Sequence, residues 1–260
     1  MARAAALGVD LAWSDRNPSG VCALDAAGRV IDEQLLETDD QIVDWIAGLV
    51  DGPATVGIDA PLLVPNETGR RSCENELARV YGGRRAGPHS SNRSLFLGRY
   101  GRIRGEDLAV RLAALGFRGP WSGGDRTLLE VYPHPALIEA FGLGERLRYK
   151  SKPGLGPEGR RAGLRILAGL LAVLSAADPP LRGGEVDVPA GARGKGAKAI
   201  EDRLDARVAA WVAAVWARHG TNRIRLFGTA GGGHIAVPVG RFVDHDPSQR
   251  GSSKGSVDLG

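Results

Sequence analysis

Residues 5–13 read Ala-Ala-Leu-Gly-Val-Asp-Leu-Ala-Trp, an apolar run with one carboxylate, Asp10, in its interior. A short run of this kind reads as a buried strand. Two more strands follow at residues 20–25 (GVCALD) and 29–37 (RVIDEQLLE), joined by a tight turn at residues 26–28. Three short strands in succession predict an antiparallel meander. Residues 39–50 (DDQIVDWIAGLV) place apolar side chains at 42, 43, 46, 49 and 50, a helical period, with Asp39 as the expected N-cap. Residues 54–60 (ATVGIDA) form the next apolar run, ended by Pro61, and predict a central strand.

Residues 62–126 interrupt this β-β-β-α-β order with many turn residues and two expected helices, near 72–81 and 105–115. A strand is expected at 127–132 (TLLEVY), then a helix opened by Pro133 and Pro135 and closed near Gly142. A long helix is expected from about Pro157 to before Pro179, a flexible basic loop over 183–199, and a helix from Glu201 to His219 stopped by Gly220. Residues 223–228 and 234–239 predict a hairpin around 230–233. The glycine run there lacks the Lys-Ser/Thr of a phosphate loop and precedes a strand. The expected organisation is one domain over 1–245, with the Arg-rich insertion at 62–126 inside it. Residues 246–260, polar and rich in Gly and Ser, read as a disordered tail.

Acids stand where acids are costly: Asp10 within the first strand, Asp59 at the end of the fourth, Glu130 within the fifth, and Asp202 with Asp205 in the last helix. Positions 205, 208, 212 and 215 share a helix face and three of them are valines, so Asp205 is expected on the side that packs against the sheet. Carboxylates gathered in a low-dielectric place repel one another and take up protons. A divalent cation removes that cost, and oxygen ligands suit Mg²⁺ or Mn²⁺, one ion or two. Each acid alone has a plainer reading. Asp59 before Pro61 and Asp202 before the last helix can be caps, and Glu130 can pair with Arg126 or another arginine.

At these residues the chain resembles the DUF429 family. Gly8-Val-Asp-Leu-Ala, Gly57-Ile-Asp-Ala-Pro-Leu, Glu130-Val-Tyr-Pro-His-Pro and Asp202-Arg-Leu-Asp-Ala look like its motifs, in the same order, over roughly residues 5–240. The resemblance implies an α/β, ribonuclease-H-like mixed sheet: a three-strand antiparallel meander plus parallel strands, flanked by helices, with an insertion between the fourth and fifth strands. It implies a predicted nuclease. By analogy with the wider superfamily, Asp10, Asp59, Asp202 and Asp205 become the metal ligands. Glu130 belongs to the family pattern without a clear counterpart there, and is expected as an extra ligand or a water-orienting base.

Lys150, Lys152 and Arg160 are candidates for contact with substrate phosphates, as are Arg70 and Arg71 together with Arg84, Arg85 and Arg93 in the insertion, and His134, four residues after Glu130, is a substrate-binding candidate that could serve acid–base work near the site. The plainer readings are a packed histidine and a solvated basic loop. Trp45 and Trp211 read as core, and Trp13 and Trp121 as possible stacking platforms. Of 34 basic residues only Lys150, Lys152, Lys195, Lys198 and Lys254 are lysines, and the net charge is +4. From 62 to 126, twelve arginines face six acids, a local excess compatible with a polyanionic partner such as nucleic acid.

The N-terminus reaches Asp10 too soon for a secretory signal, and no apolar run is long enough to span a membrane. Two cysteines, Cys22 and Cys73, outside any CxxC pair, fit a reducing cytoplasm. Two rival readings carry different tests. An ATP-dependent phosphotransferase of the actin and sugar-kinase type would need a Gly-rich turn after the first strand and a second matching domain. A non-catalytic scaffold would use the acids structurally and bind no metal.

Overall fold

The computed structural model describes residues 3–243. The expected tail at 246–260 lies outside the described residues. Strands β1 (Ala6–Asp10), β2 (Ser19–Leu24) and β3 (Val30–Leu36) pair as an antiparallel meander. After helix α1 (Asp39–Leu49), β4 (Ala54–Ile58) joins the other edge of β1 in parallel, and β5 (Arg126–Glu130) joins β4 in parallel. The sheet order is β3-β2-β1-β4-β5, a mixed sheet of the expected directions.

Three helices fill the segment between β4 and β5: α2 (Ser72–Tyr81), α3 (Arg93–Tyr100) and α4 (Arg104–Ala114). The sequence pattern predicted two. The missed one, α3, is short and buries little besides Phe96, so it carries almost no periodic signal. Then come α5 (Pro133–Phe141), α6 (Pro157–Val173), α7 (Gly194–His219) and a separate hairpin, β6 (Ile224–Thr229) with β7 (Gly233–Pro238). No helix among the described residues is long and apolar enough to cross a membrane. Cys22 and Cys73 are both free and buried.

Two boundaries depart from expectation. The α1 N-cap is Thr38, not Asp39. The Thr38 side chain accepts from the Gln41 N–H and the Gln41 side chain answers, a capping box, a kind of cap worth about 1 kcal/mol. Asp39, one position later, is buried and receives Arg104 at 2.6 Å. The last helix starts at Gly194, within the stretch expected as a loop. Its extra turns are held by pairs within the helix, where Lys198 meets Glu201 at 2.9 Å and also pairs with Asp202, and by one tertiary contact, Arg160 of α6 reaching Glu201 at 2.7 Å.

Period-2 alternation sorts the sheet into two faces. Leu7, Val9, Val56, Ile58 and Leu128 share a core with α1 and α4, through residues such as Ile42, Ile46, Leu108 and Leu112. Ala6, Cys22, Leu129 and Val131 share the other core with α5, α6 and α7. On that second face the strands carry glycine where α7 crosses. A Cβ on Gly8 would lie 2.1 Å from the Ala206 carbonyl oxygen, on Gly20 2.2 Å from that of Asp202, and on Gly57 2.6 Å from that of Ala209. Helix and sheet therefore meet backbone to backbone, which only glycine permits. The residues facing those glycines are Asp202, Ala206, Ala209 and Ala210, not the stripe of valines. Val208, Val212 and Val215 are buried in the same core as Leu137, Leu164 and Leu167. The helix is covered on several sides, so its face could not be read from which residues are apolar.

Candidate active site

The parallel pairing of β1 and β4 aligns Val9 with Ile58, and the Asp59 N–H donates to the Val9 carbonyl at 2.8 Å. Asp10 and Asp59 thus leave neighbouring strand ends on the same face, the one covered by α7. The glycine seats at 8, 20 and 57 fix α7 close enough for its own acids to arrive there. Carboxylate oxygens of Asp10, Asp59 and Asp205 all lie within 4.8 Å of one another. Asp202, whose backbone rests on Gly20 beside Asp10, lines the same cavity as Asp10 and is paired with Lys198. With α7 beginning at Gly194, Asp202 is two turns inside the helix and is not a cap.

Lys150 enters this cluster from the segment between α5 and α6. Its Nζ lies 2.9 Å from Asp205 Oδ2 and 3.6 Å from Asp59 Oδ2. The neighbouring Tyr149 hydroxyl donates to Asp205 Oδ1 at 2.7 Å. A glycine again permits the approach: a Cβ on Gly163 of α6 would be 2.0 Å from the Arg148 carbonyl oxygen. Tyr149 and Lys198 were not anticipated as site residues, and Lys150 was anticipated only as a phosphate contact. Nothing in a tyrosine followed by a lysine in a loop signals that both address an aspartate as distant along the chain as Asp205.

The electrostatics follow from burial and crowding. Burial first, then the negative charge of Asp205, push the Asp10 carboxyl well above the usual carboxylate range. Burial raises Asp59 to about 6, with Lys150 pulling the other way. Burial also raises Asp202, opposed by Lys198. For Lys150, burial alone would lower the ammonium, but Asp205, Tyr149, Asp59 and Asp10 more than offset it and hold it charged.

Glu130 stands apart from these acids. It pairs with Ile58 across the β4–β5 ladder and therefore points to the opposite face of the sheet from Asp59. There Arg71 holds both its oxygens, at 2.8 and 2.5 Å, and the Leu62 N–H donates to it at 3.0 Å. Arg71 also bonds Glu74 at 2.9 Å and the Leu63 carbonyl at 3.1 Å, with its side chain 1% exposed. The pair is a buried tie between the insertion and β5. This corrects two expectations at once: Glu130 is not with the other acids, and Arg71 does not face a substrate. The alternative pairing of Glu130 with an arginine holds, with Arg71 in place of Arg126.

Other insertion arginines are also paired with acids, Arg93 and Arg84 partly buried and Arg85 exposed. Arg93 bonds Glu106 at 3.0 Å, Arg84 bonds Glu139 at 3.3 Å, and Arg85 meets Glu145 at 3.3 Å. Arg70 lies on the exposed loop with its Nε 3.2 Å from Ser90 Oγ. Arg160 is committed to Glu201. His134 is packed, edge-on to Tyr132 and Tyr149. Lys152 is half-exposed, lining a separate hollow with His134.

A cavity of about 480 Å³ opens over the carboxylates. Asp10, Asp59, Asp202, Lys150 and Lys198 form one wall, and Trp13, Tyr100, Tyr132 and Arg99 line it elsewhere. Trp13 packs against Phe96 and Tyr100, with ring centroids 5.2 and 6.3 Å away, so the insertion supplies part of the rim. Trp211 is fully buried and Trp45 half-buried, its Nε1 bonded to Asp32 at 2.8 Å. Trp121 is 46% exposed and lies edge-on to His234, away from the acids.

Asp10, Asp59 and Asp205 offer hard oxygen donors at a spacing that one small divalent cation can bridge, and Lys150 already shows that the cluster draws in positive charge. No curated protein and no solved structure matches the chain. The model of one family, described as a protein of unknown function (DUF429), matches residues 8–226, which takes in all four strand and helix acids of the site and most of the fold around them: the chain belongs to the DUF429 family.

Proposed function

We propose that the protein is a metal-dependent hydrolase of phosphodiester bonds, with nucleic acid as its substrate class and a ribonuclease-H-like catalytic arrangement. The observation that carries this reading is the meeting of Asp10, Asp59 and Asp205, from two parallel strand ends and a helix, under one open cavity. These three would hold Mg²⁺ or Mn²⁺, with Asp202 beside them. When bound, the metal supplies an activated water and charge stabilisation for the leaving oxygen.

The chain's own groups have definite tasks in this scheme. Tyr149 fixes one oxygen of Asp205 by its 2.7 Å bond and so aims the other into the cluster. Lys150 balances the carboxylates before metal arrives, and its flexible stem lets the ammonium turn towards a substrate phosphate afterwards. Lys198 holds Asp202 in place. Trp13, Tyr100 and Tyr132 offer aromatic faces for bases, with Arg99 among them for the backbone.

The test is calorimetric titration of the full chain with Mn²⁺, followed by incubation with single-stranded, duplex and branched DNA and RNA. Wild type should bind Mn²⁺ and cleave at least one of these, and Asp10→Asn should lose both. If wild type binds no Mn²⁺ and Lys150 alone neutralises the acids, the cluster is a structural ion network and the nuclease reading is wrong.

A further inference from the structure

Beside the carboxylates lies a second hollow, of about 180 Å³, lined by His134, Arg146, Arg148, Tyr149, Lys150 and Lys152. Lys150 lines both this hollow and the larger cavity, so the two are neighbours. The volume is below the range of about 300–1,000 Å³ typical of small-molecule sites, and suits one compact group, not a whole nucleotide. Four of the lining residues carry a full positive charge and none is acidic.

Most arginines elsewhere in this chain are spent on carboxylates or carbonyls. Here Arg146, Arg148 and Lys152 have no side-chain hydrogen bond or ion pair among the described residues. Burial depresses both the Lys152 ammonium and the His134 imidazolium, and the positive charges add to it: Arg146 and Lys150 act on Lys152, and the same two with Lys152 act on His134. His134 is 3% exposed, and its Nδ1 is buried with no hydrogen-bond partner among the described residues. It is the second residue of α5, whose first turn has no capping side chain. A buried polar atom without a partner costs stability unless a ligand completes it. Like charges left facing one another, at the positive end of a helix, call for an anion.

We propose that this hollow is a phosphoryl-binding subsite, in which Arg146 and Lys152 hold the oxygens of a phosphate and His134 completes the contact from below. The role as a substrate subsite rests on the phosphodiesterase reading above. It seats a phosphate next to the one presented to Asp10, Asp59 and Asp205, with Lys150 between the two. The tetrahedral oxyanion is the shared chemistry, whether it is an internal diester of a strand or a terminal monoester. Arg70 and Arg160, by contrast, take no part.

The experiment uses the metal-free full chain and three probes: inorganic phosphate, a short oligonucleotide without terminal phosphates, and the same oligonucleotide carrying a 5′-phosphate. Wild type should bind inorganic phosphate, and the double variant Arg146→Gln/Lys152→Gln should weaken that binding by about tenfold or more, as expected when charge-assisted hydrogen bonds are lost. The His134 imidazole resonances should move on phosphate addition in wild type and not in the variant. Weaker binding of the unphosphorylated strand in the variant identifies an internal diester; weakening confined to the 5′-phosphorylated strand identifies a terminal monoester. Equal affinity of both proteins for all three probes, or no phosphate binding by wild type up to millimolar concentrations, overturns the subsite. Mn²⁺ titration separates the two proposals. Phosphate binding without Mn²⁺ binding sinks the metal reading alone, and Mn²⁺ binding without phosphate binding sinks the subsite alone.

Discussion

The Lys150 ammonium sits 2.9 Å from Asp205 Oδ2, a carboxylate with no exposed surface of its own. In the metal-free protein this pair keeps three converging acids from driving α7 off the sheet. Replacing Lys150 with Met should therefore lower the stability of the metal-free protein, by about 3–5 kcal/mol at most, because breaking a buried pair leaves a buried charge uncompensated. The same variant should bind Mn²⁺ more tightly, since no ammonium competes for the oxygens. Melting curves with and without Mn²⁺ check both. A variant that loses stability and gains nothing from Mn²⁺ would show that lysine is the permanent counter-ion.

Asp10 behaves differently, because burial and Asp205 hold its carboxyl up and favour its neutral form. An amide of the same shape already matches that form. Asp10→Asn should leave the melting temperature of the metal-free protein unchanged or slightly higher, yet reduce Mn²⁺ affinity by tenfold or more, about 1.4 kcal/mol. A large loss of stability in this variant would mean that Asp10 is ionised in the resting protein.

The pH dependence has a sign that follows from Asp59. Its carboxyl stands at about 6 in the folded chain, chiefly through burial, against an ordinary 3.8. Between those values the folded state binds more protons than the unfolded state. The stability this contributes is fully present below 3.8 and is lost as pH rises through 6. Other carboxylates in the molecule have their own slopes, so the comparison must be with Asp59→Asn. On going from pH 5 to pH 7 the metal-free wild type should lose more stability, or gain less, than Asp59→Asn. Parallel curves would contradict the raised value.

The strand and helix elements were legible because their signals are local: apolar runs for β1 and β4, Pro133 for the start of α5, Gly220 for the end of α7. Asp10, Asp59 and Asp205 were legible because an acid in an apolar setting needs a reason. Glu130 gave the same signal and had a different reason, since its face of the sheet depends on the register between β4 and β5, which no single strand contains. Lys150 and Tyr149 were placed by a glycine on α6, and α7 by glycines on three strands. Such contacts between distant backbones leave no periodic trace. The insertion's arginines looked free in the sequence because, apart from Glu74 three residues after Arg71, the acids that hold them lie far along it: Glu106 is 13 positions from Arg93, Glu139 55 from Arg84 and Glu130 59 from Arg71.

Glu130 and Arg71 test the distinction between tie and ligand. Glu130→Gln removes the charge that faces Arg71 while Glu74 still holds the Nε side. The stability cost should be about 3 kcal/mol, as for a buried pair broken on one side. Mn²⁺ affinity should stay within a factor of about two in the fraction that remains folded. Loss of Mn²⁺ binding at temperatures where the variant is folded would return Glu130 to the metal site.

The seat of α7 on the sheet yields the sharpest contrast between two glycines. A methyl group on Gly8 would lie 2.1 Å from the Ala206 oxygen and 2.2 Å from the Ala210 nitrogen, while one on Gly48, in α1, meets nothing within 4 Å. Gly48→Ala should stabilise the protein by about 0.5–1 kcal/mol, the ordinary gain from removing a helical glycine. Gly8→Ala cannot be absorbed by a rotamer change, because both obstructing atoms are backbone. The helix must lift, and as it lifts Asp205 and Asp202 leave Asp10 and Asp59. Gly8→Ala should therefore lose several degrees in melting temperature and, in protein that remains folded, lose Mn²⁺ affinity out of proportion to any other substitution remote from the carboxylates. Equal and small effects from the two glycines would mean that α7 is not clamped to the sheet at that point, and that the carboxylates are brought together by something other than this contact.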